Sequence, residues 1–220
     1  MSKFIVIEGI EGAGKSTMVK ALADLLESRG HRAVCTREPG GTALGLKLRR
    51  LLLEEQGEQI DPLTELLLFA ADRAQHVYGL IRPALAQGQY VVCDRFTYST
   101  LAYQGYGRGL PLDRLRMLNS LATGDLVPDL VFLMDLDPAI GLKRVKDRGR
   151  APICHAVVGI DSFEGEDRFE RLDLIFHEKV REGFLDLAAL DPNRFCVLDA
   201  TKSPEVLANE AALALIERLL

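Results

Sequence analysis

Residues 9–16 read Gly-Ile-Glu-Gly-Ala-Gly-Lys-Ser, and this octet constrains the fold more than any other stretch of the chain. It fits the pattern G-x-x-x-x-G-K-[ST], which carries meaning only when a buried strand precedes it and a helix follows. Both neighbours are present: the apolar run FIVIE comes before, and an amphipathic pattern starts near Lys15. In that setting the glycines let successive backbone N–H groups turn inward on phosphate oxygens, helped by the positive end of the following helix. Lys15 is then placed to neutralise the β- and γ-phosphates of a triphosphate, and the Ser16 hydroxyl to ligate Mg²⁺. Gly9, Ile10, Glu11, Gly12, Ala13, Gly14 and Thr17 complete the cradle. The plainer alternative is a glycine-rich turn with an incidental lysine, and the register of strand, glycines and helix argues against it.

The rest of the chain alternates short apolar runs with longer helical patterns, the signature of βαβ units around a parallel sheet. Five strands are expected, at Lys3–Ile7, His31–Thr36, Tyr90–Cys93, Leu130–Asp135 and Arg194–Leu198. Most are almost wholly apolar, as strands covered on both faces should be. Helices are expected to begin near Lys15, Ala43, Leu63, Thr97, Pro111, Pro138, Arg168 and Pro204. No repeat or low-complexity tract interrupts the pattern, so residues 1–220 read as one doubly wound α/β domain. The stretch Gly149–Asp167 has scattered Gly and Pro and no period, which marks a long loop of the kind that often serves as a lid.

Composition narrows the partners. The 32 acidic and 27 basic side chains give a net charge of −5 with no like-charge block, so bulk attraction to nucleic acid or anionic lipid is not expected. An anionic ligand must be held by a local basic cluster. No apolar run approaches the ~18 residues of a membrane span, and the N-terminus lacks a signal-peptide layout, which points to the cytoplasm. Cys35, Cys93, Cys154 and Cys196 show no C-x-x-C pairing and read as reduced, buried thiols.

A phosphate loop does not name a reaction, because GTPases, ATPases and small-molecule kinases share it. The chain lacks an N-K-x-D or D-x-x-G run of the GTPase type. It carries instead four further segments: Thr36–Thr42 (TREPGGT), Phe69–His76 (FAADRAQH), Asp94–Ser99 (DRFTYS) and Tyr103–Gly109 (YQGYGRG). With EGIEGAGKST, these closely resemble the bacterial thymidylate kinases, from about Lys3 to the C-terminal helix. The resemblance implies a three-layer P-loop kinase fold with a five-stranded parallel sheet. It also implies the reaction ATP + dTMP → ADP + dTDP with Mg²⁺, in dTTP synthesis, usually by a homodimer.

Several residues then acquire roles beside their plainer readings. Asp94-Arg95 ends the third strand, where ligands bind in this architecture. Asp94 suits the Mg²⁺ water shell or the orientation of an acceptor phosphate, and Arg95 suits a bridge between donor and acceptor phosphates; a strand-end ion pair is the duller reading. Phe69 and Arg73 lie four apart on one helix face. The resemblance makes them the stacking ring and the guanidinium for a pyrimidine nucleotide, although pattern alone favours core packing for Phe69. By resemblance Gln104 reads the O4 and N3 edge of thymine, and Tyr103 crowds the sugar 2′ position. Ser99 either lines that pocket or caps a helix. By the same resemblance Arg37 follows the second strand in a loop that contacts the acceptor nucleotide, and Glu11 faces the acceptor sugar; an ordinary Pro-Gly turn and a surface acid repelled by ATP are the plainer readings.

The phosphate loop carries no arginine, and in bacterial members a lid arginine supplies that charge. The string Asp167-Arg168-Phe169-Glu170 aligns with the lid motif, which makes Arg168 the candidate for the transferring phosphoryl group. By the same resemblance Arg148 is the candidate for stacking on adenine, and for either arginine a helix-end charge is the plainer reading. The lid segment, about 149–168, is longer here than in typical members.

Overall fold

The computed structural model describes residues 2–53, 60–148, 169 and 172–219. Five strands, β1 (Phe4–Glu8), β2 (Ala33–Arg37), β3 (Tyr90–Asp94), β4 (Leu130–Asp135) and β5 (Phe195–Asp199), form an all-parallel sheet in the order β2-β3-β1-β4-β5. The expected strands are all present, with ends moved by a residue or two. Burial follows sheet position: β1 and β4 are nearly wholly buried, whereas the edge strands β2 and β5 are partly open. That is why the central strands read FIVIE and LVFLMD, and why Arg37 is tolerated at the end of β2, whereas the buried Thr36 is accommodated by its contact with His76.

The helices α1 (Lys15–Ser28), α2 (Ala43–Leu53), α3 (Pro62–His76), α4 (Arg82–Ala86), α5 (Thr97–Thr100), α6 (Leu112–Thr123), α7 (Pro138–Arg148), α8 (Leu174–Leu190) and α9 (Pro204–Leu219) flank this sheet. Helix α1 buries Met18, Val19, Leu22, Ala23 and Leu26, a stripe at helical spacing, so its register behind the phosphate loop is fixed by the core. Asp61 caps α3 by accepting from Leu63 N at 2.8 Å, with Pro62 at the first helical position.

Three features differ from expectation. The helix expected from Arg168 begins at Leu174, because Asp173 accepts from Phe176 N at 2.7 Å and so sets the cap there. The helix at Leu63 runs on through a π-helical segment, Val77–Ile81, into α4. The helix at Thr97 keeps only one α turn before widening into a second π-helical segment, Leu101–Gly107, which carries Tyr103 and Gln104. Wide turns of this kind recur at functional sites. Of the cysteines, Cys93 is buried as expected, but Cys35 and Cys196 are only half-buried because they sit on the edge strands. No disulfide joins these three, and Cys154 lies outside the described residues.

Strand β1 sits at the centre of the sheet, with β3 and β2 to one side and β4 and β5 to the other. The reversal of strand order occurs there, and the crevice beyond the carboxyl ends of β1 and β3 is where such sheets take ligands.

Candidate active site

The loop leaving β1 wraps the start of α1. Gly12 has φ +73°, and a Cβ on it would stand 2.2 Å from the Gly141 carbonyl oxygen of α7. Only glycine fits there. Lys15 Nζ lies across the loop and donates to the Ile10 carbonyl at 2.7 Å. Ser16 Oγ donates to Asp94 Oδ2 at 2.9 Å, so the hydroxyl and carboxylate expected at a Mg²⁺ site are brought together from α1 and β3. Two hard oxygen donors suit Mg²⁺, which takes one or two protein oxygens and completes its shell with phosphate and water.

Arg95 is the hub. It follows β3 with φ +70°, a conformation costly for a residue with a Cβ, and its N–H extends the sheet by donating to Ile7 O at 2.9 Å. Its guanidinium donates to Gly9 O at 3.0 Å, Ser99 Oγ at 3.3 Å and Glu11 Oε1 at 2.9 Å, and lies 4.9 Å from the Tyr103 ring centroid. The Tyr103 hydroxyl also donates to Glu11 Oε1, at 2.6 Å. His177, from α8, places Nδ1 3.4 Å from Glu11 Oε2.

Burial works against the charge of each group here, and the neighbours decide the outcome. Glu11 is held below the usual carboxylate range because Arg95, His177, Lys15 and Tyr103 outweigh its desolvation. Arg95 is held more firmly cationic than in water, by Tyr103, Glu11, Asp94 and Glu8. Lys15 is pulled down to about 8 by burial and by the Arg95 charge, with Asp94, Glu11 and Glu8 opposing. Glu8, fully buried at the end of β1, is pushed up to about 7 by desolvation despite bonds from Phe96 N, Ser99 N and Ser99 Oγ at 2.9, 3.1 and 2.5 Å.

A cleft opens on one side of Arg95. Phe69, Arg73, Ser99, Tyr103, Gln104 and Phe169 line it, so the ring and guanidinium expected on one face of α3 do converge. Phe69 is half-buried, packing on the core while facing the cleft. Phe169 stands 6.1 Å from Phe69 and 5.8 Å from Tyr103 between ring centroids, forming an aromatic wall. The Ser99 alternatives resolve in an unexpected way: it lines the cleft, yet its hydroxyl and N–H both go to Glu8, which does the capping.

Arg73 is 2% exposed and donates to Glu38 Oε2 (2.8 Å), Thr100 Oγ1 (2.8 Å), Asn119 Oδ1 (2.7 Å) and Phe96 O (3.0 Å). Four of its five N–H groups are thus engaged among the described residues, leaving one on Nη2. Glu38 in turn faces His76 Nδ1 at 2.9 Å, and His76 Nε2 faces Thr36 Oγ1 at 2.7 Å. Asp72, pushed up to about 6 by burial and by Glu38, accepts from Gly40 N at 3.1 Å. Arg37 stands beside Asp94 in the β2–β3 ladder and is not among the residues lining the cleft; burial draws its pKa down and Asp94 opposes.

A second cleft lies on the other side of the phosphate loop, between Gly14, Thr17, Met18, Arg144, Lys202 and Pro204. Arg144 is fixed there by donating to Ala200 O at 2.9 Å. The sequence points to Arg148 on the same helix instead; its side chain, Arg168 and the 149–168 segment lie outside the described residues. Arg144 is one helical turn from Arg148, which is the signal that points to it. Glu8 and His177 belong to no spaced motif, so the sequence does not point to them.

Comparison with known proteins agrees with this geometry. The family model described as thymidylate kinase matches residues 7–211. A thymidylate kinase of Desulfovibrio desulfuricans is 54% identical over 202 residues, covering 92% of this chain and 89% of that protein. One from Geobacter sulfurreducens is 48% identical over 219 residues, covering 100% and 99%. A crystal structure of thymidylate kinase from Ehrlichia chaffeensis superposes with a TM-score of 0.75 at 34% identity, covering 98% of each chain.

Proposed function

The chain belongs to the thymidylate kinase family, and from that premise we propose how its residues move the γ-phosphoryl group of ATP to dTMP, giving ADP and dTDP. One observation carries the assignment: Arg95 bonds at once to Gly9 of the phosphate loop and to Glu11 and Ser99 of the neighbouring cleft. It therefore stands where donor and acceptor phosphates must meet. Backbone amides of residues 9–17 cradle the ATP phosphates with Lys15, and Arg144 flanks the donor nucleoside with Arg148. The dTMP ring enters between Phe69, Phe169 and Gln104, with Tyr103 and Glu11 toward the sugar. Arg73 directs its remaining N–H at the base, and Arg37 acts on the acceptor side through Asp94.

Ser16 and Asp94 would hold Mg²⁺, which supplies charge neutralisation at the β- and γ-phosphates. The acceptor phosphate is already anionic at neutral pH, so no general base is required. The chain's work is positioning and charge stabilisation by Lys15, Arg95 and Arg168. The Arg168 role rests on the DRFE string, on the phosphate loop's lack of arginine, and on the neighbouring Phe169 lying in the acceptor cleft. We read residues 1–220 as one kinase domain acting in the cytoplasm as a homodimer. Leu63 and Leu67 of α3 and Met117 and Leu121 of the adjoining α6 are each more than half exposed and form the interface.

A coupled ADP-release assay with ATP, Mg²⁺ and a panel of nucleoside monophosphates tests the reading. Turnover should be greatest with dTMP, partial with dUMP, and should fall by about a thousandfold or more in Lys15→Ala and Arg95→Ala. Preference for a purine acceptor, or near-normal turnover in either variant, refutes it.

A further inference from the structure

Gln104 is 2% exposed and its amide nitrogen donates to Glu65 Oε1 at 2.8 Å; Glu65, on α3, is wholly buried and takes Arg108 Nη2 on its other oxygen at 3.2 Å. A carboxylate only accepts, so this contact fixes which end of the amide faces it: the NH₂ must point to Glu65 and the carbonyl oxygen away from it. Gln104 lines the acceptor cleft, and with its amide nitrogen turned to Glu65 the carbonyl oxygen is the acceptor it leaves for a ligand. We propose that Glu65 is a positioning residue that locks the Gln104 amide so that its oxygen accepts from a pyrimidine N3–H, selecting thymine and uracil over cytosine.

The chemistry follows from the base edges. Thymine and uracil carry a proton on N3 and an oxygen at C4. Cytosine has a lone pair on N3 and an amino group at C4, so a fixed carbonyl oxygen faces a lone pair and is repelled. An amide free to rotate would present its NH₂ to cytosine and lose the distinction. The remaining Arg73 N–H, a donor only, opposes the cytosine amino group in the same sense. Rejection of the wrong hydrogen-bond pattern is the stronger kind of discrimination a buried site achieves, well beyond what a single methyl provides. The proposal rests on the base-reading role assigned to Gln104 above.

The test measures kcat/KM for dTMP, dUMP and dCMP in the wild type, Glu65→Gln, Glu65→Met and Gln104→Leu. Glu65→Gln can donate as well as accept, and Glu65→Met removes the acceptor while keeping volume; each frees the amide. The dTMP/dCMP ratio should fall by about tenfold or more in both, while the dTMP/dUMP ratio, which depends on the methyl group, stays within about twofold. A merely structural Glu65 would lower all three substrates together. An unchanged dTMP/dCMP ratio in either folded variant overturns the proposal, as does loss of the fold in both, which would assign Glu65 to stability alone. Should Gln104→Leu leave dTMP turnover intact, the base-reading premise itself fails, and that result is separate from any seen at Glu65.

Discussion

Lys15 is buried between the Arg95 charge and the carboxylates of Glu8, Glu11 and Asp94, and its pKa near 8 means that it is only partly protonated at mildly alkaline pH. Triphosphate binding adds anionic oxygens beside it and must raise that value. ATP binding is therefore expected to take up protons at pH 8 and almost none at pH 6.5, read by calorimetry in buffers of differing ionisation enthalpy. Lys15→Arg, permanently charged, should abolish the uptake; uptake that persists in it means another group is responsible. Glu8 gives a second pH signature. Its folded pKa, about 7, is above its ordinary 4.5, so between these values the native state holds the extra proton and stability falls as pH rises through the window. Glu8→Gln should thus gain stability relative to the wild type from pH 4.5 to pH 7.5, by up to about 3 kcal/mol in denaturant titrations. A constant difference across that range would remove Glu8 as a titrating group. Lys15 was legible from sequence because its motif has a rigid spacing. Glu8 was not, because it is simply the last letter of an apolar strand, and only the sheet reveals that it lies beneath Arg95 and caps the turn at Phe96–Ser99.

At the scale of elements, the strands were legible because burial on both faces enforces apolar runs, and α1 because its stripe is periodic. The π-helical segment Leu101–Gly107 was not, since one wider turn leaves no distinct period in so short a stretch. The sequence pattern alone starts α8 six residues early, at Arg168, because nothing in it marks Asp173 as the residue that accepts from Phe176 N and sets the cap. A contact between elements also escaped the pattern: Gly12 and Gly141 let α7 touch the phosphate loop, and a Cβ on Gly141 would sit 2.4 Å from Glu11 O. In Gly141→Ala the helix gains propensity, roughly 0.5–1 kcal/mol, yet the loop or the helix must shift. Stability should change little, whereas kcat/KM for ATP should drop by about tenfold or more through misplacement of the cradle. An Ala variant with unaltered kinetics would show that the loop tolerates the displacement.

Across the whole molecule, the leucines of α3 and α6 divide between two tasks that a linear pattern cannot separate. Leu66 and Leu115 are buried in the core, whereas Leu67 and Leu121 are 51% and 79% exposed. An apolar face of this sort needs a cover, and in the homodimer proposed above a second copy of the chain supplies one through an isologous contact. The helices concerned also build the cleft proposed for the acceptor: α3 carries Glu65, Phe69 and Arg73, and Asn119 of α6 accepts from Arg73 Nη1 at 2.7 Å. Covering them should therefore hold that cleft rigid as well as join two chains. The wild type is expected to sediment as the proposed dimer, and Leu121→Glu, on the open face, to leave the fold intact and sediment as a monomer. The monomer should show a KM for dTMP raised severalfold with KM for ATP nearly unchanged, since the phosphate loop and Arg144 lie on other elements. A wild type that sediments as a monomer removes the interface. A monomeric variant with native kinetics would keep the interface but sever its link to the acceptor cleft.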